Sequence, residues 1–254
     1  ISVKASDLIS FEAKSNATSQ VEDKADGNGG NIEISAKNIN FNTKGSALNS
    51  STKGKGQEGN PSQAGNIVVK ASENINLDNS NFFSQVNAGA IGNAGNIEIE
   101  TGNLSLTNGS LLLSNTTGKG NAGNINVKAK DNIVLSGGSL FISSVDPLLD
   151  YSKNPNSPEP KLDDQGNLKV GEGNAGNINI QVRDRAVFDG TDIDGFPSGI
   201  LDVIRKGARG NSGKIQLKAG SLSMTNGAVV QTKSEGEGNS GDITIDVRDD
   251  IFLD

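Results

Sequence analysis

The hexapeptide Gly-Asn-Ala-Gly-Asn-Ile occurs three times in this chain, at 92–97, 120–125 and 173–178. Looser copies of the same phrase occur at 29–32, 64–67, 211–215 and 239–243. The last glycines of these seven copies are separated by 28 to 53 residues. Spacings near 30 residues are typical of structural units that stack on their neighbours, so the sequence predicts a repeat array and not one globular core.

Each copy is followed by short runs of alternating apolar residues. The first run, such as Ile125/Val127, has the period of two and the β-branched side chains of a half-buried strand. A second run, such as Ile133/Leu135, follows seven or eight residues later, and a third, such as 140–142, follows a turn of Gly, Asn or Ser. Three short strands per repeat predict an all-β, right-handed parallel β-helix (solenoid) of about eight coils over 1–254. A β-propeller is the structural alternative, but it normally needs four strands and a longer repeat.

The repeated phrase itself has a predicted role in the turns. Glycine reaches positive φ without steric cost, so we expect it to turn the chain sharply between coils. Asparagines at one place in the phrase are predicted to stack as an amide ladder along the axis, interrupted at Lys214 and Asp242. These asparagines are Asn31, Asn66, Asn96, Asn124 and Asn177.

Composition narrows the possible functions. The chain has 254 residues with 33 Gly, no Cys, no His, no Trp and only 33% hydrophobic residues, which suits a thin solenoid better than a thick core. A net charge of −7 argues against nucleic acid as a partner, because phosphate binding needs clustered Lys and Arg. No stretch of 18 apolar residues exists that would span a membrane as a helix.

The two ends of the sequence fall inside repeats. Residues 1–6 align with 125–130, and the sequence ends on the second strand of another repeat, at 251–253. Exposed ends of a stack favour aggregation, so we expect this chain to be an excerpt from a longer array.

Two segments interrupt the repeat. Residues 146–170 contain four of the six prolines and are predicted to leave the array as a proline-rich surface loop. Residues 189–200 are predicted to form a second loop insert. Loops inserted into solenoids often lie on the binding face.

The residue types restrict the chemistry that is available. Without His or Cys there is no Ser-His triad, no Cys nucleophile and no zinc site of the usual kind. Carboxylates remain, and Asp184 between Arg183 and Arg185 is the first candidate. The same motif recurs at Arg248-Asp249, which favours a repeated surface feature. We therefore predict no enzyme activity and no catalytic or cofactor-binding residue.

Asp189, Asp192 and Asp194 are not repeated, and together they suggest a calcium loop. The EF-hand pattern fails, because it would need an acid at Gly190 and at Leu201. A solvated acidic turn is the favoured interpretation and no metal residue is predicted, while a weak calcium site built on backbone carbonyls is left open.

Four lysines follow the first strand at equivalent offsets and are predicted to lie in one row. They are Lys4, Lys70, Lys128 and Lys218. Because acids neighbour them in sequence, a mixed, solvated face is the default interpretation.

The motifs resemble those of a known family. Gly-Asn-Ala-Gly-Asn-Ile-x-Ile, the heptapeptides at 104–110 and 222–228, and Asp-Gly-Phe-Pro-Ser-Gly-Ile at 194–200 look like repeats of large cyanobacterial exoproteins similar to filamentous haemagglutinin. The family's secretion domain carries an Asn-Pro-Asn-Gly-Ile motif. Residues 154–157 read Asn-Pro-Asn-Ser, so the secretion function is not carried over to this chain.

The resemblance implies the central rod of a two-partner secretion adhesin, extracellular or on the outer cell surface. The implied partners are cell-surface glycans or proteins, together with an outer-membrane transporter that recognises a domain outside this chain. Stacked coils would hold many weak contacts on a stiff support. A β-helical polysaccharide-active enzyme is the alternative, and a carbohydrate-binding module that uses the 189–200 loop is a third reading.

Overall fold

A computed structural model describes residues 1–23, 25–42, 45–54, 61–147, 149–150, 159–160 and 171–254. These residues form an all-β structure that contains no helix. The described part of the chain accordingly has no helix long and apolar enough to cross a membrane.

The strands are short and follow the predicted order of three per repeat. In chain order they begin with β1 (Ser2–Lys4), β2 (Leu8–Phe11), β3 (Asn16–Val21), β4 (Ile32–Phe41), β5 (Ala47–Thr52), β6 (Ser62–Gln63), β7 (Ile67–Asp78), β8 (Asn81–Val86), β9 (Gly92–Asn93), β10 (Ile97–Thr101), β11 (Asn103–Thr107) and β12 (Leu111–Thr116). They continue with β13 (Ile125–Ala129), β14 (Asn132–Ser136), β15 (Leu140–Val145), β16 (Leu149–Asp150), β17 (Glu159–Pro160), β18 (Ile178–Val182), β19 (Arg185–Asp189), β20 (Gly199–Ile204), β21 (Ile215–Ala219), β22 (Ser221–Thr225), β23 (Val229–Ser234), β24 (Ile243–Val247) and β25 (Ile251–Leu253).

Parallel pairing joins each strand to the equivalent strand of the next repeat. First and second strands share one sheet, in which β13 lies between β10 and β18, and β14 lies between β11 and β19. Third strands form a separate sheet in the order β23-β20-β15-β12-β8-β5-β3. In β4 and β7 the first and second strands are continuous, and their pairing shifts register between Ala36 and Asn38. The repeats therefore stack in register, as the spacing predicted.

The core lies between these sheets and consists of the alternate residues that the sequence pattern indicated. Along β13 the burial alternates, so that Ile125 and Val127 are buried while Lys128 is exposed. Ile125 is paired in register with Ile97 and Ile178, and all three are fully buried. Stacking equivalent apolar side chains in this way excludes water from the interior repeats with few apolar residues, which explains the low hydrophobic content.

The asparagines of the repeated phrase form ladders of a different kind from the one predicted. The side-chain oxygen of Asn96 accepts a hydrogen bond from the backbone N–H of Asn124 at 2.9 Å, and Asn124 does the same for Asn177 at 2.8 Å. Lys214 still donates its own backbone N–H to Asn177 at 2.8 Å, so the ladder continues to that residue. The first asparagine of the phrase forms a second ladder of the same type, through Asn93, Asn121, Asn174, Asn211 and Asn239.

The last glycine of the phrase serves close packing, and the expectation of a positive φ is wrong for it. A Cβ added at Gly123 would lie 2.0 Å from the carbonyl oxygen of Gly95 in the preceding repeat, although its φ is not in the left-handed region. The first glycine meets both constraints, since Gly120 has a φ of 133° and an added Cβ would lie 1.6 Å from the oxygen of Gly92. Backbones of successive repeats thus approach too closely for any side chain.

The two predicted inserts are described to different extents. Of 146–170, the structure describes residues 146, 147, 149, 150, 159 and 160, and β16 pairs antiparallel with β17. The Asn-Pro-Asn-Ser stretch at 154–157 lies outside the described residues. In the second insert, Asp189 ends β19 and Gly199 begins β20, so residues 190–198 form the connection that leaves the sheets.

Candidate functional site

The outward side of the first strands carries the predicted lysine row. Cα pairing places Lys4, Ser35, Lys70, Glu100, Lys128, Gln181, Lys218 and Asp246 on successive strands in this order. The four lysines therefore lie in one row, as expected, but on alternate strands with other residues between them. Lys70 forms an ion pair with Glu100, with Nζ 3.4 Å from the carboxylate.

A groove runs beside this row, where the sheet turns from its first strands to its second strands. It has a volume of about 500 Å³. Its lining includes five cationic side chains, Lys128, Lys130, Arg183, Lys218 and Arg248. Two carboxylates, Glu100 and Asp246, also line it. Because Arg183 and Arg248 are paired with neighbouring aspartates, the positive charge of the groove comes from Lys128, Lys130 and Lys218. This charge stands on a chain whose net charge is −7.

A second, adjoining groove of about 570 Å³ covers the other row of outward residues on the same strands. Its floor includes the amides Asn126, Asn179 and Gln216, which follow one another in register. The side-chain nitrogen of Asn179 donates to the oxygen of Asn126 at 2.9 Å. This amide row lies directly beside the lysine row.

The Arg-Asp motif that the sequence singled out lies at the corner of the sheet. Arg183 contacts Asp131 at 2.6 Å and Asp184 at 3.0 Å, and Arg248 contacts Asp249 at 2.8 Å. These side chains are more than one third exposed, so the pairs contribute little to stability. The arrangement fits the prediction of a repeated surface feature.

The acids of the second insert hold its turn together. Asp192 accepts hydrogen bonds from the backbone N–H groups of Asp194 and Phe196 at 2.9 and 2.8 Å. Asp189 accepts from the Thr225 hydroxyl and the Asn226 amide, which lowers the pKa of its carboxyl group. Within the described residues no three acidic side chains are grouped as a metal site. The turn instead presents two exposed apolar side chains, Ile193 and Phe196.

Sequence reasoning missed one buried acid, Asp202. It is fully buried on β20, in register with Ser143 on one side and Thr232 on the other. One carboxylate oxygen accepts the Gly213 N–H at 3.0 Å, while the other is buried without a partner. Burial raises the pKa of this carboxyl group to about 7. Alignment of the repeats would have identified it, because Ser114 and Ser143 occupy the same position.

Comparison with known protein families, curated proteins and solved structures finds no match for this chain.

Proposed function

We propose that this chain is a rod segment of a secreted or cell-surface adhesin of the filamentous haemagglutinin type, built as a right-handed parallel β-helix of about eight coils. In-register parallel pairing of equivalent residues over successive repeats is the observation that carries this proposal. At about 4.8 Å per coil, eight coils extend roughly 38 Å. Such a stack repeats the same outward positions along one axis and so offers a surface for multivalent contact.

The outward residues support adhesion more than catalysis. Glu100 and Asp246 line the positive groove but lie on strands four pairings apart, about 19 Å along the stack. Paired carboxylates that hydrolyse glycosides lie within roughly 5–10 Å of each other. The closer pairs of carboxylates are already occupied by cations. Glu100, the neighbour of Glu98 on β10, is ion-paired with Lys70, and Asp131 and Asp184 both bind Arg183.

A carbohydrate-binding role of the segment itself is the second candidate function. The positive groove beside an amide row favours it, because amides and cations bind hydroxyl and acidic groups of sugars. If the segment binds carbohydrate, it is itself the adhesive part of the parent protein. If it is only a spacer, the adhesive contacts are made by other parts of that protein.

Size-exclusion chromatography with plant, algal and bacterial polysaccharides, with and without calcium, tests the proposal. Co-elution of protein with intact sugar supports an adhesive segment, and intact sugar without co-elution supports a spacer rod. Shortened sugar chains would refute the non-catalytic function. The double variant Glu98→Gln/Glu100→Gln would then show whether the acids of β10 are responsible.

A further inference from the structure

The strands of the positive groove carry an arrangement suited to one particular ligand group. We propose that Lys128, Gln181 and Lys218 form a binding site for an isolated carboxylate on a glycan that lies along the groove. The inference rests on the proposed function, since it names the ligand class of one face of the rod.

The three side chains occupy consecutive strands. Lys128 pairs in register with Gln181, and Gln181 pairs with Lys218. Neighbouring strands are about 4.8 Å apart, so the two lysines flank Gln181 at about 9.6 Å from each other along the stack. A carboxylate above Gln181 is therefore within reach of both flexible ammonium groups and of the Gln181 amide N–H.

These groups are available to a ligand. Within the described residues, neither Lys128 nor Lys218 forms an ion pair, and the Gln181 side chain has no hydrogen-bond partner. Other cations of this face are already neutralised, as Lys70 is by Glu100 and Arg183 is by Asp131 and Asp184. Lys130 lines the same groove and adds to its positive charge.

The ends of the site limit how much negative charge the ligand can carry. Glu100 precedes Lys128 in the row, and Asp246 follows Lys218. A polymer with an acid on every sugar would bring a carboxylate close to Asp246, which forms no ion pair within the described residues, and would be repelled there, whereas the charge of Glu100 is already compensated by Lys70. A mostly neutral chain with widely spaced acids would place one carboxylate at the centre without that repulsion.

The surroundings favour a glycan over an acidic peptide. The site lies on the face of a sheet whose strands are all paired with neighbours, so a peptide would gain no backbone pairing there. The adjacent row of Asn126, Asn179 and Gln216 offers amide donors and acceptors that match hydroxyl groups. The core residues Ala129, Val182 and Ala219 also line the groove and add apolar surface to it.

Three soluble polysaccharides test the inference by titration calorimetry at low ionic strength. Glucuronoxylan has scattered carboxylates on a neutral backbone, arabinoxylan has none, and polygalacturonate has one on every sugar. We expect the chain to prefer glucuronoxylan to both others. Lys128→Gln with Lys218→Gln should weaken glucuronoxylan binding about tenfold, because one exposed charge pair contributes up to about fivefold.

A matched control is Lys214→Gln, which removes an exposed lysine that pairs with Asp242 and does not line the groove. It should leave glucuronoxylan binding unchanged. Asp246→Asn should strengthen polygalacturonate binding, because the repelling acid is gone.

The inference is wrong if the chain does not prefer glucuronoxylan to arabinoxylan, or if it prefers polygalacturonate. It is also wrong if Lys214→Gln weakens glucuronoxylan binding as much as the double lysine variant does, or if equimolar oligoglutamate displaces glucuronoxylan. Circular dichroism and sugar chain length, recorded on the same samples, separate this failure from failure of the proposed function. If the protein is β-rich and leaves the sugar chains intact but binds the three polysaccharides equally, only the carboxylate site is refuted.

Discussion

Replacing the buried acid by the residue of its repeat, Asp202→Ser, should stabilise the protein at neutral pH and above. Ser143 shows what the replacement would do, since its hydroxyl oxygen accepts the Gly176 N–H at 2.7 Å in the preceding repeat. A serine at 202 is expected to accept the Gly213 N–H in the same way. It would also remove the carboxylate oxygen that is buried without a partner.

The magnitude follows from the pKa of the Asp202 carboxyl group. Its pKa is about 7 in the folded protein against an ordinary value of 3.8, so between these pH values the folded state holds a proton that the unfolded state has released. The contribution of Asp202 to folding stability therefore falls as pH rises from about 4 to about 7 and is flat above. About three pKa units correspond to a loss on the order of 4 kcal/mol.

Urea unfolding followed by far-UV circular dichroism at pH 5, 6, 7 and 8 measures this effect. The difference between variant and wild type isolates residue 202, because the other carboxylates are common to both proteins. We expect the variant's advantage to grow from pH 5 to pH 8. The reverse substitution Ser143→Asp should introduce the same pH dependence one repeat earlier. A stability difference that does not change with pH would refute the reasoning.

Two further pairs of substitutions test the packing. Gly123→Ala should lower the free energy of unfolding by about 3 kcal/mol or more, because the added methyl group would lie 2.0 Å from the Gly95 carbonyl oxygen. A lower midpoint of thermal unfolding would show this loss. Gly30→Ala is its control, since the nearest atom there is a side-chain oxygen at 3.7 Å, and an equal loss in both variants would contradict the close-approach argument. Ile125→Asp should lower the free energy of unfolding by several kcal/mol, because it buries an unpaired charge. Asn126→Asp, on the partly exposed neighbour, should change the unfolding midpoint little. Equal effects of the two substitutions would refute the assigned strand register.

The strands and their register were predictable because both follow from the repeat. Alignment of the repeats makes Ile97, Ile125 and Ile178 equivalent residues. If each repeat pairs in parallel with the next, these residues must lie opposite one another on neighbouring strands, and the structure shows this pairing. The alternation of buried and exposed residues along each strand follows from the pleat. The lysine row was predictable on the same grounds.

Interactions between backbones and bends of the sheet were not predictable. The sequence motif shows that the glycine at position 123 recurs in the repeats. It does not show whether a positive φ or the close approach of another backbone requires glycine there. The structure shows that the reason is the Gly95 carbonyl oxygen. The groove depends on how sharply the sheet turns at Ala129 and Val182, which residue types alone do not set. Asp202 shows no pattern within its own strand, and it stands out only when the third strands are aligned, because Ser114 and Ser143 hold the same position.

Charge along the stack explains how a departure from the repeat can leave cations unpaired. Equivalent residues lie about 4.8 Å apart, so like charges on adjacent strands repel each other. The connections from third strands to first strands resolve this by alternating in sign along Lys119, Glu172, Arg209 and Glu237, with Arg209 bonded to Glu237 at 3.0 Å and Lys119 to Glu172 at 3.4 Å. Where Gln181 stands between two lysines, the cations are separated but not neutralised. A single neutral residue in an alternating row is therefore enough to keep positive charge available for a ligand without placing two lysines on adjacent strands.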